Sequence, residues 1–409
     1  MSKALGTFRA VYLVALCCVG SFLFAYDTGI VGGILTFPSF RRDFRYEEKD
    51  RATVGSNSTS LLQAGAFFAC FFVWPFTARF GRRWSIVLAS IIFNIGAVIQ
   101  TINTHSLGAF YAARVISGIG VGMATVIIPM YSAEMAPKNI RGTLGSIWAE
   151  ILAGIEEEDR VKSGVTWKEL LQPINRWRVI LIIALQIGVQ LTGNTSMAYY
   201  APQIFSLVGA GQNKLLLTGF FGVCKVVACL FFLLFLVERI GRRGSLMLGA
   251  FLMGMYMLIV AVLTVTFPPN PDQGLTPPSI ASLTMIYLEA MSYNISWGPV
   301  PWVYMGEIFP TRIREAGIAI GTSTQWLFNF VFSQVTPHAV ENLGWRTFLM
   351  FAIFNWALVV FVWFFIKETK GKSLEEMETL FARQIGVKDH EAAREGTKVN
   401  GTEDQSEQR

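Results

Sequence analysis

The sequence predicts an all-α polytopic membrane protein built from two helix bundles. Three observations support this fold class: apolar residues come in blocks of about twenty, basic residues lie at the block ends, and two motifs occur twice in the same order. Apolar residues make up 53% of the 409 residues and charged residues only 15%, whereas a soluble domain carries about a quarter charged residues. This composition excludes most soluble enzymes, disordered proteins and disulfide scaffolds.

Ten transmembrane spans are predicted, and their flanking basic residues give the orientation. Because Lys and Arg are enriched in cytoplasmic loops, the side that carries the basic clusters is the cytosol. An even number of spans then places both termini in the cytosol, as expected for a multi-pass protein of the plasma membrane. The predicted spans are 11–37, 58–78, 84–104, 108–133, 178–207, 214–237, 244–266, 281–305, 315–338 and 345–366.

The remaining composition indicates few partners besides the lipid bilayer. The net charge of +6 comes from residues at the span ends, so nucleic acid is not an expected partner. The five cysteines fall inside apolar blocks and have no metal or disulfide spacing, and no cofactor is expected. The sequon Asn57-Ser58-Thr59 ends the predicted outer loop 38–57, so Asn57 is a predicted glycosylation site.

Two motifs repeat along the chain. The sequence Arg-Phe-Gly-Arg-Arg at 79–83 returns as Arg-Ile-Gly-Arg-Arg at 239–243. The pattern that runs from Glu134 to Arg141 likewise returns between Glu307 and Arg314. Recurrence in the same order indicates two homologous halves. Such parallel repeats are typical of transporters whose binding site lies between two bundles.

The first half is shorter than the second. After Arg314 two further spans follow, whereas after Arg141 only the apolar stretch 142–155 precedes a charged run. As a helix these fourteen residues reach about 21 Å, which is too short to cross the bilayer. The sequence therefore predicts four plus six spans, with the fifth and sixth of twelve missing. The expected domains are a first bundle at 1–155, a cytosolic amphipathic linker at 156–177, a second bundle at 178–372 and a cytosolic tail at 373–409.

Six motifs carry a family resemblance over about 11–155 and 165–380. They are Tyr26-Asp27-Thr28-Gly29, the two Gly-Arg-Arg loops, the run from Pro129 to Gly142, Gln190-Leu191-Thr192-Gly193, the run from Pro299 to Glu307, and Glu368-Thr369-Lys370-Gly371. In this order they resemble the sugar porter family of the major facilitator superfamily. The runs 296–299 and 325–330 resemble its fungal branch, which contains hexose and quinate permeases. The resemblance implies the major facilitator fold and transport of a sugar.

Asp27 and Arg114 are ionisable residues deep inside predicted spans, where charge is costly and usually functional. At 1.5 Å per residue their depths differ by only about 3 Å, so the two could pair. The proton-coupled members of the resembling family have this aspartate and arginine. We therefore expect Asp27 to accept a proton from outside and to release Arg114. A static ion pair is the alternative.

The predicted substrate site contains amides and one tryptophan. Gln186 and Gln190 lie four residues apart on one helix face, and an amide offers both donors and an acceptor to a polyol. Trp302 can stack on a sugar ring. The family's sugar contacts match Gln186, Gln190, Trp302, Gln325 and Asn329, with Asn194 one residue before the family's asparagine. The alternative is that these amides are satisfied in the core by other helices.

Lys225 is an unexpected charge near the middle of its span, too deep for its ammonium group to reach the interface. It must face the cavity or pair with an acid, and Glu289 is the nearest candidate within a span. A cavity lysine would suit a carboxylate such as quinate, so Lys225 is included among the substrate-binding residues. A purely structural pair of Lys225 with Glu289 is the alternative.

Charged residues at the cytosolic ends form a predicted gate that holds the two bundles together when the transporter opens outward. The acids recur with the arginines in both halves, which favours this interpretation over solvated anchors. The gate residues are Arg82, Arg83, Glu134, Arg141, Glu238, Arg242, Arg243, Glu307 and Arg314.

The predicted function is secondary transport of a sugar or related polyol, hexose-like, by alternating access and with a proton. Quinate, a carboxylated polyol, is the competing hypothesis for the substrate. A non-transporting sugar sensor and an inactive truncated form are two hypotheses that compete with transport itself. The sequence has no nucleotide-binding loop, metal cluster or nucleophile constellation, so no enzyme activity is expected.

Overall fold

The computed structural model describes residues 31, 33–35, 37–102, 105–135, 170–208, 214–232, 240–268, 276–310 and 313–370. These residues are almost entirely helical. In chain order the helices are α1 (Pro38–Phe44), α2 (Arg51–Thr101), α3 (Leu107–Met135), α4 (Pro173–Leu191), α5 (Asn194–Tyr199), α6 (Ala201–Leu207), α7 (Lys214–Phe231), α8 (Arg242–Thr266), α9 (Pro277–Ile295), α10 (Val300–Ile308), α11 (Arg314–Leu343) and α12 (Arg346–Phe365).

The repeated arginine motif adopts the same backbone conformation in both halves. Gly81, inside α2, has φ 78° and ψ 166°, and Gly241, directly before α8, has φ 80° and ψ 167°. Glycine populates positive φ without the steric cost that a side chain imposes. Gly81 therefore divides α2 into the two predicted spans, and the sequence repeat is also a repeat of local structure.

Glycines bring α2 and α3 into backbone contact. A Cβ atom on Gly118 would lie 2.0 Å from the carbonyl oxygen of Leu62, and one on Gly122 would lie 2.3 Å from that of Ala66. A Cβ atom on Gly65 would lie 2.2 Å from the carbonyl oxygen of Val115. Small residues allow such approach between membrane helices, where dispersion contacts replace the hydrophobic effect.

Two predicted spans are broken helices. The span predicted at 178–207 divides into α4, α5 and α6, with Gly193 at φ 85° between the first two. The span predicted at 281–305 divides into α9 and α10, which begins next to Pro299 and Pro301. The buried Trp297 fills this break and donates its Nε1–H to the carbonyl oxygen of Leu246 at 2.9 Å. Non-helical backbone within a membrane protein is tolerated where protein or a polar cavity satisfies it.

Within the described ranges, four helical segments are long and apolar enough to cross a membrane: 79–101, 107–128, 242–266 and 346–365. The helices α4 and α11 carry more polar residues, because their inner faces build the site described below. Two helices begin before their predicted spans: α2 begins at Arg51, ahead of the span predicted from residue 58, and α4 begins at Pro173, ahead of the span predicted from residue 178. Most of that linker, and the tail at 373–409, lie outside the described residues.

Candidate substrate and proton site

The inner face of α4 carries two buried amides one turn apart. Gln186 is 0% and Gln190 is 1% exposed. The Nε2 atom of Gln186 donates to the sulfur of Met305 at 3.7 Å. Among the described residues, Oε1 of Gln186 and both amide atoms of Gln190 have no hydrogen-bond partner. A buried polar group without a partner costs about 1–3 kcal/mol, so these amides are expected to bind a polar solute or water.

Helix α11 brings a second set of polar groups to the same region. A Cβ atom on Gly321 would lie 2.4 Å from the sulfur of Met305 and 2.8 Å from Ile182, so α11 packs closely on α10 and α4 here. One turn further, Gln325 is half-buried and, within the described part of the chain, its Oε1 has no partner. The same is true of the buried hydroxyl of Thr322. Next to its contact with α4, helix α11 therefore carries two polar atoms that have no partner among the described residues.

Asn329 and Trp302 are positioned differently from these amides. Asn329 donates to the hydroxyl of Tyr199 at 3.1 Å and accepts from Ser333 at 3.4 Å. Its amide is therefore satisfied inside the second half, as expected for a core residue. Trp302 is half-buried on α10, one turn before Met305, and packs against the apolar core of the second half.

Lys225 and Glu289 are linked through Asn194. The Nζ atom of Lys225 donates to Oδ1 of Asn194 at 3.0 Å, and Nδ2 of Asn194 donates to Oε2 of Glu289 at 3.0 Å. Lys225 also lies 5.6 Å from the ring centroid of Phe221 and 5.8 Å from that of Tyr293, within the range of cation–π attraction. One amide thus connects α7, α5 and α9.

Arg114 is fully buried and bonds both segments of α2. Its Nε donates to the carbonyl oxygen of Ser58 at 2.8 Å, and its Nη1 donates to Oε1 of Gln100 at 3.4 Å. The Nε2 atom of Gln100 in turn donates to Ser117 at 2.8 Å. Asp27, its predicted partner, lies outside the described residues.

Two residues that connect the halves, Gln63 and Glu315, were not predicted from the sequence. Gln63, on the first segment of α2, is 1% exposed and lies beside the hydroxyl of Tyr199. It therefore brings a first-half amide to the group that Asn329 also contacts. The only signal for it is its polarity inside an apolar block. The second residue, Glu315, contacts Arg82 of the predicted gate.

The described charged contacts of the predicted gate form two separate groups. One crosses between the halves: Arg82, after Gly81, bonds Glu315 at the start of α11 with an Nη2–Oε1 distance of 2.9 Å. The next residue of that loop, Arg83, is exposed. Arg314 opens α11 beside Glu315. Of the other predicted gate residues, Arg141 and Glu238 lie outside the described residues, as does the side chain of Glu134.

The second group lies within the second half. Arg242 bonds Glu307 with an Nη2–Oε1 distance of 2.6 Å, and Thr369 donates to the other carboxylate oxygen of Glu307 at 2.6 Å. Arg243 donates to the carbonyl oxygen of Trp363 at 2.7 Å. These predicted gate residues therefore tie α8, α10 and the end of α12 together rather than joining the two bundles.

Glu368 completes this second group by capping α8. Its carboxylate accepts from the backbone N–H groups of Arg242 at 2.9 Å and Arg243 at 3.1 Å, where the helix dipole favours an anion. Burial alone raises the pKa of Glu368, but the N–H groups of Arg242, Lys370 and Arg243 and the Arg242 charge lower that pKa below its usual value. The cap is therefore charged at neutral pH and is lost only as pH falls below the ordinary carboxyl range.

We expect transport to depend on the opposite charges of Arg82 and Glu315, and not on which of the two residues carries which charge. Arg82→Glu alone should lower uptake about fivefold, because like charges then meet in a part-exposed contact worth about 1 kcal/mol. The double variant Arg82→Glu/Glu315→Arg should recover most of the loss. The measurement is initial uptake rate, normalised to surface protein. A double variant as impaired as the single one would show that this pair is not part of a gate between the two halves.

The predicted glycosylation site lies in a helix rather than in a loop. Asn57 belongs to α2, and its Oδ1 accepts from Nε2 of Gln334 on α11 at 2.9 Å. The other sequon residues, Ser58 and Thr59, are 0% and 2% exposed. In this conformation the sequon is not presented as an exposed loop, and glycosylation at Asn57 stays a prediction.

Two packed helical halves, broken helices at a buried polar site and charged contacts at the helix ends define a multi-pass membrane transporter. The chain belongs to the Sugar (and other) transporter family, which it matches over residues 13–153 and 147–381. The resemblance to sugar porters of the major facilitator superfamily is thereby confirmed. The two matched stretches meet where the sequence predicts that spans are missing.

Curated and solved relatives agree with this membership. The chain is 29% identical to the quinate permease of Emericella nidulans, over 92% of this chain and 89% of that protein. The alignment extends over 474 positions, more than the 409 residues here, so the relative has residues that this chain lacks.

Among solved structures, the chain resembles the inward open conformation of the xylose transporter XylE from E. coli. The TM-score is 0.68, with 22% identity over 91% of this chain and 99% of that one. It also resembles the proton:xylose symporter XylE bound to 6-bromo-6-deoxy-D-glucose, with TM-score 0.70, 24% identity and 92% and 99% coverage. These similarities confirm the predicted all-α major facilitator fold.

Proposed function

We propose that this protein is a secondary transporter of a sugar or related polyol, hexose-like, and that it moves its substrate with a proton by alternating access. The observation that carries the proposal is the pair of buried amides on α4, Gln186 and Gln190, with three amide atoms that have no partner among the described residues. It acts in the plasma membrane with both termini in the cytosol, and it is not an enzyme.

A polyol fits these amides chemically. Each hydroxyl group both donates and accepts, and so does a primary amide. Gln186, Gln190 and Gln325 would exchange hydrogen bonds with the hydroxyl groups, while Trp302 would cover an apolar ring face. Asn329 and Asn194, which now bond Tyr199 and Lys225, would complete the site from α11 and α5 by exchanging these bonds for bonds to substrate hydroxyl groups.

Uptake in a transporter-deficient yeast tests the proposal. Labelled glucose and quinate are supplied at pH 5 and pH 7.5, and surface protein is quantified for each strain. Saturable uptake that is faster at pH 5 is the expected result. Surface protein without uptake of either compound would contradict the proposal, and would favour a non-transporting sensor or an inactive truncated form that lacks two spans.

Asp27→Asn is expected to remove the pH dependence of uptake. In the proposed mechanism Asp27 takes a proton from outside and releases Arg114, which shifts the balance between the two open states. An asparagine cannot carry that proton, so uptake rates at pH 5 and pH 7.5 should become equal. Asp43→Asn, at an exposed position of α1, should keep the wild-type ratio. If Asp27→Asn kept the wild-type ratio of uptake rates at pH 5 and pH 7.5, Asp27 would not be the proton acceptor, and its pairing with Arg114 would be purely structural.

Quinate is a second candidate substrate because Lys225 places a cation next to the proposed site. A carboxylate could bind this ammonium group, which a neutral hexose does not need. Lys225→Gln is therefore expected to lower quinate uptake at least about tenfold, the loss of one charge-assisted contact, and to spare glucose uptake. Initial rates of both substrates in the same cells are the measurement. Equal losses for the two would identify Lys225 as a structural residue.

A further inference from the structure

Glu289 is a fully buried carboxyl group whose counter-charge does not touch it. It lies in the middle of α9 and is 0% exposed. Its Oε2 accepts from Asn194 at 3.0 Å, and its Oε1 has no hydrogen-bond partner among the residues that the structure describes. Lys225 bonds the other end of the Asn194 amide, at 3.0 Å. One neutral amide therefore separates the two charges.

This arrangement is a poor structural ion pair. A buried pair offsets its desolvation only with direct contact and full hydrogen bonding, and within the described residues one carboxylate oxygen has neither. The charged or titratable groups that face Glu289 are Lys225 from α7 and Tyr293 from α9 itself. Asn194 from α5 is neutral, and the buried residues of α8 near Ile286 and Ala290, such as Met257, are apolar. Lys225 is thus the one cation that the described residues bring to this carboxyl group.

We propose that Glu289 is a second proton-binding group, and that the carboxylate of an anionic polyol replaces it as the counter-charge of Lys225. The inference rests on the proposed transport function and deepens its quinate alternative. Asn194 keeps the proton-binding carboxyl group separate from the anion-binding ammonium group, because its Oδ1 accepts from Lys225 and its Nδ2 donates to Glu289.

The charge balance of the exchange is simple. The substrate carboxylate pairs with the ammonium group of Lys225, and one proton from the outer solution binds Oε1 of Glu289. The site gains one negative and one positive charge, so its net charge does not change, and no covalent bond other than the new O–H is made. On the cytosolic side the substrate and the proton leave together. A neutral hexose brings no charge and requires no proton at Glu289.

Calorimetry of the purified full-length chain tests this exchange without requiring transport. Quinate and glucose are titrated at pH 7 in two buffers of different ionisation enthalpy, which gives the number of protons taken up per ligand bound. Because any proton that Asp27 takes up is counted for both ligands, the result is read as a difference: we expect about one more proton to be taken up per quinate bound than per glucose bound. Glu289→Gln mimics the protonated carboxyl group, so this variant should bind quinate and take up no more protons with quinate than with glucose. Glu341→Gln, an exposed acid near the end of α11, should keep the wild-type count.

The possible outcomes separate the inference from the proposed function. Proton uptake by Glu289→Gln equal to that of the wild type would overturn the inference, as would glucose binding without quinate binding. The latter result would leave the polyol transporter intact. Binding of neither ligand would overturn the inference and remove the basis of the proposed function.

A thermal measurement covers the case in which Glu289→Gln does not fold. Lys225→Gln leaves a carboxylate without its counter-charge, and that group becomes neutral when it binds a proton. This variant should therefore melt several degrees higher at pH 5 than at pH 8, and the double variant Lys225→Gln/Glu289→Gln should lose this difference. An equal difference in both variants would show that the two residues are not coupled.

Discussion

Gly118→Val is expected to leave almost no folded protein in the membrane. A Cβ atom at Gly118 would lie 2.0 Å from the carbonyl oxygen and 2.8 Å from the carbonyl carbon of Leu62. Both atoms belong to the backbone of α2, so relief requires the helices to separate and to lose the neighbouring contacts at Gly122 and Gly65. Overpacking costs about 1–3 kcal/mol, and we expect at least the upper value here.

The measurement is the yield and melting temperature of detergent-solubilised protein. Gly222→Val is the matched control, because Gly222 is also a helical glycine and a Cβ atom there would meet nothing within 4 Å. This control should behave nearly as the wild type does. If Gly118→Val gave the same yield and melting temperature as the control, the close packing of α2 on α3 would be disproved.

Gln190→Leu is expected to separate stability from transport. Glucose uptake should fall more than about tenfold, because two hydrogen-bonding atoms of the site are lost. The melting temperature should stay constant or rise, since the buried amide has no partner among the described residues and an apolar side chain of similar size removes that cost.

The experiment compares uptake and melting temperature in one set of variants. Asn342→Leu changes an exposed amide near the carboxyl-terminal end of α11 and should leave uptake unchanged. If Gln190→Leu transported glucose normally at wild-type surface levels, the amide face of α4 would not be the binding site. A lower melting temperature would mean that Gln190 is a structural core amide.

The helical repeat could be predicted, but several span boundaries could not. The polar run 56–59 lies across the predicted boundary between the outer loop 38–57 and the span 58–78, yet all of it lies inside α2, where two of its hydroxyl groups bond the helix backbone. Ser56 donates to the carbonyl oxygen of Thr53 at 3.0 Å, and Thr59 donates to that of Gly55 at 3.1 Å. Intrahelical bonds of this kind satisfy polar side chains inside a span, and hydropathy does not register them.

Helical periodicity predicts the amide face of α4, since Gln186 and Gln190 share it through local geometry alone. It does not predict that Asn194 stands between Lys225 and Glu289, because that depends on the break at Gly193 and on three helices meeting. Gln63 and Glu315 were missed for a related reason. Their partners, Tyr199 and Arg82, lie in the other half of the chain, and no sequence period links such pairs.

Helix α11 touches the first half at three levels: at its amino-terminal end, near its middle, and about two thirds of the way along. Glu315 bonds Arg82 at 2.9 Å, Gln334 bonds Ser60 at 2.7 Å, and between them Trp326 donates to the hydroxyl of Thr125 at 3.2 Å. Along the helix, Trp326 lies about 16 Å from Glu315 and about 12 Å from Gln334. A tilt of about 15° around the hydrogen bond of Trp326 would move Glu315 about 4 Å and Gln334 about 3 Å, beyond hydrogen-bond reach. Trp326 would then be the pivot of this tilt, and the contacts of Glu315 and Gln334, on opposite sides of it, would break together.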